Sequence, residues 1–305
     1  MKRIHRVRTI VPVFLFLAAV SFLWADNPVF ETYTDEQFRD YWFADKAELT
    51  HYSLTQARYG ELREGSAMLI FVTEPMNTRL QVKADPPYEG KKIKEVLKLN
   101  YTKNFYTGIY PYSVMSSIFT PIERGGSFLP EKLTMSIQEW CGQVYAQLNL
   151  GMGRYKGKTF SYFEKEADRT FSLKNVMTED GLWNLARISP NDLPVGDFQL
   201  IPSLALSRLL HFDLRPERVK GKIELLEDET ALYTLDFIES DRTLKIQLSR
   251  LFPYEIAGWE ETYVSGRGAG AATLTTQAKR VERVNLDYWK RNSEADSVYR
   301  NELGF

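Results

Sequence analysis

Cysteine is nearly missing from this chain: Cys141 stands alone among 305 residues, which excludes an intramolecular disulfide. Histidine numbers three, with no HxH or HxxxH spacing, so no recognisable metal site is present and neither a metal nor an organic cofactor is expected. A G-x-S-x-G elbow is lacking as well, which removes the usual signature of a serine hydrolase. The formal charge is only −1, so the chain has no electrostatic footprint for nucleic acid. The uncharged run near the N-terminus, Thr9 to Trp24, is about 16 residues, short of the roughly 20 that a helix needs to cross a bilayer.

What is present begins with the N-terminus. Lys2, Arg3, Arg6 and Arg8 precede an uncharged stretch from Thr9 to Trp24, and Ala25-Asp26 follows. A basic start, an apolar middle and a small residue at the end describe a secretory signal peptide over 1–25, although Leu23 sits where a smaller residue is usual. Cleavage near Ala25 and a periplasmic or secreted location are the expectation. The cleavage region has no cysteine to carry a lipid anchor. Without its four leader cations the chain keeps 35 basic and 40 acidic residues, a charge of −5, in a composition ordinary for a folded protein.

The dominant period is two. Leu133, Met135 and Ile137 alternate with Thr134, Ser136 and Gln138, and Val144, Ala146, Leu148 and Leu150 alternate with Tyr145, Gln147 and Asn149. Such alternation marks strands with one buried and one wet face. Strand segments are predicted at 48–59, 65–74, 93–103, 132–139, 143–150, 155–164, 218–227, 231–240, 243–250, 254–264 and 274–286, with turn residues between several of them. Helices are few: 35–46 capped by Thr34 with Gln37 three residues on, 178–186 capped by Thr178, and a third over 288–303. The fold class is therefore mainly β, a large antiparallel, strongly curved or barrel-like sheet with a few short helices at its ends or inside it. Two smaller β domains compete with a single sheet. In that division 26–189 and 213–305 are β-rich halves and the proline-bearing 190–212 connects them.

The segments QARYGELREG, LKLNYTKNFYTGIYPYSVMSSIFTP, SIQEWCGQVYAQLNL and FSYFEKEAD resemble those of an uncharacterised secreted family of Gram-negative bacteria over most of the chain beyond the leader. Some of its members carry the label "septum formation inhibitor Maf". True Maf proteins are cytoplasmic nucleotide pyrophosphatases of α/β build, and this sequence has neither an SASPRR-like opening nor alternating strands and helices. From Tyr52 to Glu74 the chain is also similar to periplasmic β domains of the DUF3108 type, which share an aromatic strand, a glycine turn and a second apolar strand. That similarity implies a fold and nothing more.

Two stretches supply candidate ligand-binding residues, and none supplies a catalytic one. Glu139, Trp140, Cys141, Gly142 and Gln143 interrupt two alternating segments, where Gly142 suits a bulge or sharp bend. Cys141 reads as a small buried hydrophobe in preference to a nucleophile served by His51 or His211. Tyr101, Phe105, Tyr106, Tyr110, Tyr112 and Phe119 sit among amides and hydroxyls, which suits the rim of a barrel or a platform for a sugar or amphipathic ligand. The binding set is thus Glu139, Trp140, Cys141, Gln143, Tyr106, Tyr110 and Tyr112. Ser265 to Ala271 resembles a phosphate-cradling loop, but a strand-like Thr273-Leu274-Thr275 follows instead of a helix, so it reads as a hairpin loop. Glu164, Glu166, Asp168, Glu260 and Glu261 read as carboxylates on exposed strand faces.

Charges such as Lys94, Lys98, Lys220 and Lys222 within strands argue against a transmembrane barrel, despite the terminal Phe305. The leading functional class is a non-catalytic exported envelope protein that encloses a hydrophobic or saccharide ligand. A structural or assembly partner of envelope proteins comes next, and a hydrolase with an unrecognised site comes third. Lipid, saccharide and envelope protein are the partners considered.

Overall fold

Period-two alternation becomes one continuous ladder in the computed structural model, which describes residues 28–123 and 126–304. The leader, the Ala25 position and Phe305 lie outside the described residues. In chain order the strands are β1 (Ala47–Arg58), β2 (Glu61–Asn77), β3 (Val82–Lys83), β4 (Ile93–Thr107), β5 (Tyr110–Pro121), β6 (Lys132–Glu139), β7 (Gly142–Leu150) and β8 (Arg154–Ser161). They continue as β9 (Arg169–Lys174), β10 (Met177–Thr178), β11 (Gly196–Ile201), β12 (Glu217–Leu225), β13 (Thr230–Phe237), β14 (Arg242–Ser249), β15 (Ile256–Ser265) and β16 (Ala272–Leu286). Four helices accompany them: α1 (Asp35–Trp42), α2 (Glu179–Ile188), α3 (Leu204–Leu210) and α4 (Val298–Glu302).

The sheet runs β10-β11-β12-β13-β14-β15-β16-β1-β2-β4-β5-β6-β7-β8-β9, with β3 added beside β2. Every pairing is antiparallel except β10 with β11, whose parallel register needs the crossover that α2 provides. Its two end strands, β9 and β10, are separated in sequence only by Asn175 and Val176. The sheet therefore curls until its ends meet across one turn, as the sequence predicts for so many strands. Apolar residues point inward: Leu133, Met135, Ile137, Val144, Ala146 and Leu148 are all buried, while Thr134, Ser136, Gln147 and Asn149 face out. Among the described residues, no helix is long and apolar enough to cross a membrane.

Helix α2 fills the interior. Thr178 caps it by accepting from the Gly181 N–H, as its sequence predicts, but all ten of its residues are buried, not only the Leu182, Leu185 and Ala186 face. Asp180, Asn184 and Arg187 form its polar stripe at helical spacing; Asn184 and Arg187 donate to the barrel wall, and Asp180 accepts from the start of α3. The Asn184 amide donates to the Leu97 carbonyl and Thr120 hydroxyl at 2.9 Å. Arg187 grips Glu48 of β1 through two contacts of 2.5 and 2.7 Å. Helix α1 carries the predicted capping box between Thr34 and Gln37 and packs Phe38 and Trp42 over one end of the barrel.

Several sequence expectations need correction. Strands β5, β9 and β11 and the two-residue β3 and β10 lie outside the expected segments. Pro111 and Pro121 of β5 occupy positions near its two ends, where a missing N–H is tolerated, and β11 fits between Pro194 and Pro202. The segment 190–212 thus contains a strand of the sheet and α3. The third helix is broken into short turns at 288–290 and 294–297 followed by α4, because its apolar residues are too sparse to sustain one face. Leu303 nonetheless anchors this tail on Ala47, Leu49, Met68 and Val72, on the outer side of β1 and β2.

Candidate functional site

Part of the sequence-predicted set, Glu139, Trp140, Cys141, Gln143 and Tyr110, lies at the end of the barrel where β6 turns into β7. Glu139 pairs with Gly142, leaving Trp140 and Cys141 as a two-residue tip. Of the bulge or sharp bend expected at Gly142, the structure has the bend, a tight hairpin turn held by the Cys141 N–H donating to Glu139 Oε2 at 2.7 Å. Gly142 has a φ of +153°, and a Cβ there would lie 3.0 Å from the Tyr162 ring, so two independent reasons require glycine. Trp140 is 68% exposed, with its ring 6.2 Å from that of Tyr110. Tyr110 in turn lies 5.9 Å from Tyr112.

The structure does not bring the whole set together. Tyr112 is buried and stacked on Phe105 at 4.9 Å, its hydroxyl 2.8 Å from that of Tyr59 and accepting from Arg58 at 2.9 Å. It belongs to the core, not to a binding surface. Tyr106 is exposed and, among the described residues, touches no other ring. Cys141 is exposed, which overturns its reading as a buried hydrophobe. The nucleophile fares no better: a hydrogen bond to Glu139 and the charge of that carboxylate raise the thiol pKa, opposing thiolate formation. His211 is engaged by Glu166 at 2.7 Å, and His51 lies near the chain's tail, where a Cβ on Gly304 would be 3.5 Å from its Nδ1.

Gln143 leads to what the sequence reading missed. It lines an open groove of about 510 Å³ on the outer face of β6 to β8, walled by Tyr145, Phe160, Tyr162, Gln138 and Asp168. A second groove of about 680 Å³ adjoins it, lined by Gln147, Asn149, Lys132, Lys156, Lys158 and Thr170 among others. Tyr145 joins the two, its hydroxyl donating to Gln147 Oε1 at 2.7 Å, and its ring is 6.4 Å from Phe160. Register explains the layout: Ser136, Tyr145 and Phe160 are cross-strand neighbours, as are Lys132, Asn149 and Lys156. A signal for this surface lay in the alternation itself, whose wet positions over 134–149 are amides, hydroxyls and a tyrosine without a single charge.

A different chemistry occupies the interior. Arg242 binds Glu179 at 2.5 and 3.0 Å and Glu261 at 2.8 Å, all three buried. Glu261 is thus not on an exposed strand face, contrary to expectation. Asp180 accepts from the Leu204 N–H at 3.0 Å, and burial together with neighbouring Glu179 pushes its pKa up to about 7. Burial likewise lowers the pKa of Lys103, whose ammonium lies 5.0 Å from the centre of the Tyr101 ring. These groups border a cavity of about 30 Å³. That is room for a water molecule or two, so neither sugar nor lipid fits there. Among the described residues, no group of three or more histidine, cysteine, aspartate or glutamate side chains could hold a metal ion.

With the geometry in place, comparison adds an outline only. A crystal structure titled as a beta-barrel-like protein of domain of unknown function DUF1849 from Brucella abortus is similar to this chain. The TM-score is 0.46 at 11% identity, covering 79% of this chain and 98% of the other. So weak a likeness carries no argument about function. No family model matches the chain, and no curated protein matches it. The Maf label and the DUF3108-type similarity gain no support.

The Ser265–Ala271 loop connects β15 to β16 as a hairpin, as predicted. It packs against the β1–β2 turn: a Cβ on Gly60 there would lie 2.1 Å from the Gly270 carbonyl oxygen, and one on Gly266 2.5 Å from the same atom.

Proposed function

We propose that this chain is a non-catalytic exported protein of the cell envelope that binds a saccharide on the outer face of β6 to β9. One observation carries the reading. The two adjoining outer grooves offer about 510 and 680 Å³ among amides, hydroxyls and aromatic rings, whereas the interior cavity offers about 30 Å³ among paired charges. Enclosure of a ligand within the barrel, the arrangement favoured from sequence, does not suit a filled core. Amide groups recognise sugar hydroxyls as both donor and acceptor, and a ring such as Phe160 offers an apolar face to a pyranose.

Titration of the purified chain with neutral and acidic oligosaccharides, followed by the amide NMR signals of β6 to β9, tests this. Binding confined to those strands, weakened roughly fivefold or more by Tyr145→Ala or Phe160→Ala, is the expected result. Unchanged spectra with every saccharide would reject it. The second reading, a partner of envelope proteins, has its own observation. Ile109, Trp140 and Tyr162 are 80%, 68% and 75% exposed at successive hairpin tips on one end of the barrel.

A further inference from the structure

Strands β5 to β9 carry an uneven charge. Their basic residues are Lys132, Arg154, Lys156, Lys158, Arg169 and Lys174, against a single carboxylate, Glu139, at the rim. Arg169 approaches Asp213 at 3.7 Å, and Arg154 is spent on Ser172, to which it donates twice at 2.9 Å. Lys132, Lys156 and Lys158 line the larger groove and, among the described residues, make no ion pair. Elsewhere in the barrel Lys98 is paired with Glu74, Arg218 with Glu239, and Arg280 and Arg283 with Glu255. Other strand lysines such as Lys220, Lys245 and Lys279 make no ion pair among the described residues, but they do not line a groove together. Three such cations around one groove are what sets this face apart.

Their spacing follows from the register. Lys132 and Lys156 face each other across Asn149, two strand spacings or roughly 10 Å apart, and Lys158 follows Lys156 at roughly 7 Å along the same face. Around them stand uncharged groups, among which Gln147, Asn149, Thr170 and Ser172 can bond hydroxyls while Leu80 and Phe171 add apolar surface. The groove therefore presents positive points at intervals on a neutral hydrogen-bonding floor. A polymer that carries both carboxylates and many hydroxyls complements that pattern. Nucleic acid brings charge as well but few hydroxyls for the amides and hydroxyls of the floor, and it serves as the control for charge alone.

We propose that the groove formed by β6 to β9 selects a carboxylate-bearing saccharide chain, of the polyuronate class, through Lys132, Lys156 and Lys158. This inference rests on the saccharide reading above and narrows it by charge. Isothermal titration of the intact chain with a galacturonate hexamer, a neutral glucose hexamer and a single-stranded oligonucleotide of matched charge tests it. At low salt the uronate is expected to bind roughly tenfold more tightly than the neutral hexamer, the sum of three exposed ion pairs. The ratio of uronate to neutral-hexamer affinity should fall to about one in the Lys132→Gln/Lys156→Gln/Lys158→Gln variant and shrink at high salt, with the thermal melt unchanged. Equal affinity for the two hexamers would overturn the charge selection while leaving the saccharide reading intact, as would an oligonucleotide that binds as tightly as the uronate. Failure of both hexamers to bind would overturn the two together.

Discussion

Inside the barrel and on its outer face between β6 and β9, charged side chains are handled in opposite ways. Arg187 and Arg242 are almost fully buried and each is matched to carboxylates, Glu48 for the first and Glu179 with Glu261 for the second. Lys132, Lys156 and Lys158 stand in an open groove without acidic partners among the described residues. A charge removed from water must be paired or it destabilises the fold by several kcal/mol, so the interior pairs belong to the architecture. A solvated lysine carries no such obligation. What it is free to meet comes from outside the chain.

The contrast can be broken most forcefully at Arg187. Arg187→Met leaves Glu48 buried without its guanidinium, and unfolding by urea should register a loss of as much as about 5 kcal/mol. The double variant Arg187→Met/Glu48→Leu should regain most of it, because the stranded charge leaves with its partner. A single variant as stable as the parent would mean that the interior pair contributes nothing to the fold.

The next largest effect depends on pH. The folded-state pKa of Asp180, about 7, lies above the ordinary 3.8, so the native state holds this proton more tightly than the unfolded chain. That contribution is complete below about pH 4 and is lost as pH rises toward 7, by as much as about 4 kcal/mol. Glu48 acts in the other direction. Burial raises its pKa, but Arg187 more than reverses this and the net shift is downward, so its contribution disappears as pH falls through the folded-state value. Melting temperatures measured from pH 4 to 8 should show Asp180→Asn gaining on the parent as pH rises. Parallel curves would place the titration elsewhere.

The smallest effect sharpens the comparison from the other side. Replacing Lys156 and Lys158 by glutamine should shift stability by no more than about 0.5 kcal/mol in the same urea assay, as expected for solvated positions away from the core. A larger loss would make the groove lysines structural.

The barrel-like sheet was legible from Leu133-Met135-Ile137 and its counterparts, because a half-buried strand writes its burial into every second residue. The hairpin partner of β4 was not, since Pro111 and the serines of β5 obscure an alternation that Tyr112, Val114, Ser116 and Ile118 still carry inward. Charged residues in phase with an apolar row were the harder lesson. Lys103 continues the inward series of Leu99 and Tyr101, and Arg242 precedes Leu244 and Ile246 in the same phase, yet a charge invites an outward assignment. The approach of α2 through the middle of the barrel, a matter of long-range topology, brings Glu179 to Arg242 beside Glu261 of β15. At the candidate site, Gln143, Trp140 and Tyr110 were within reach of sequence reasoning. Phe160, Lys156 and Lys158 join them through a cross-strand register that no local pattern states.

β1 and β16, the first and last strands among the described residues, lie side by side, with Ala47 opposite Leu286. The seam between the two halves of the barrel is thus sewn by residues more than two hundred positions apart, and the closure entropy of that span must be overcome before the seam can reward it. Until the final hairpin emerges from its synthesis, β1 exposes a raw edge able to pair with a stranger. Such a chain has reason to remain unfolded in company until it is whole.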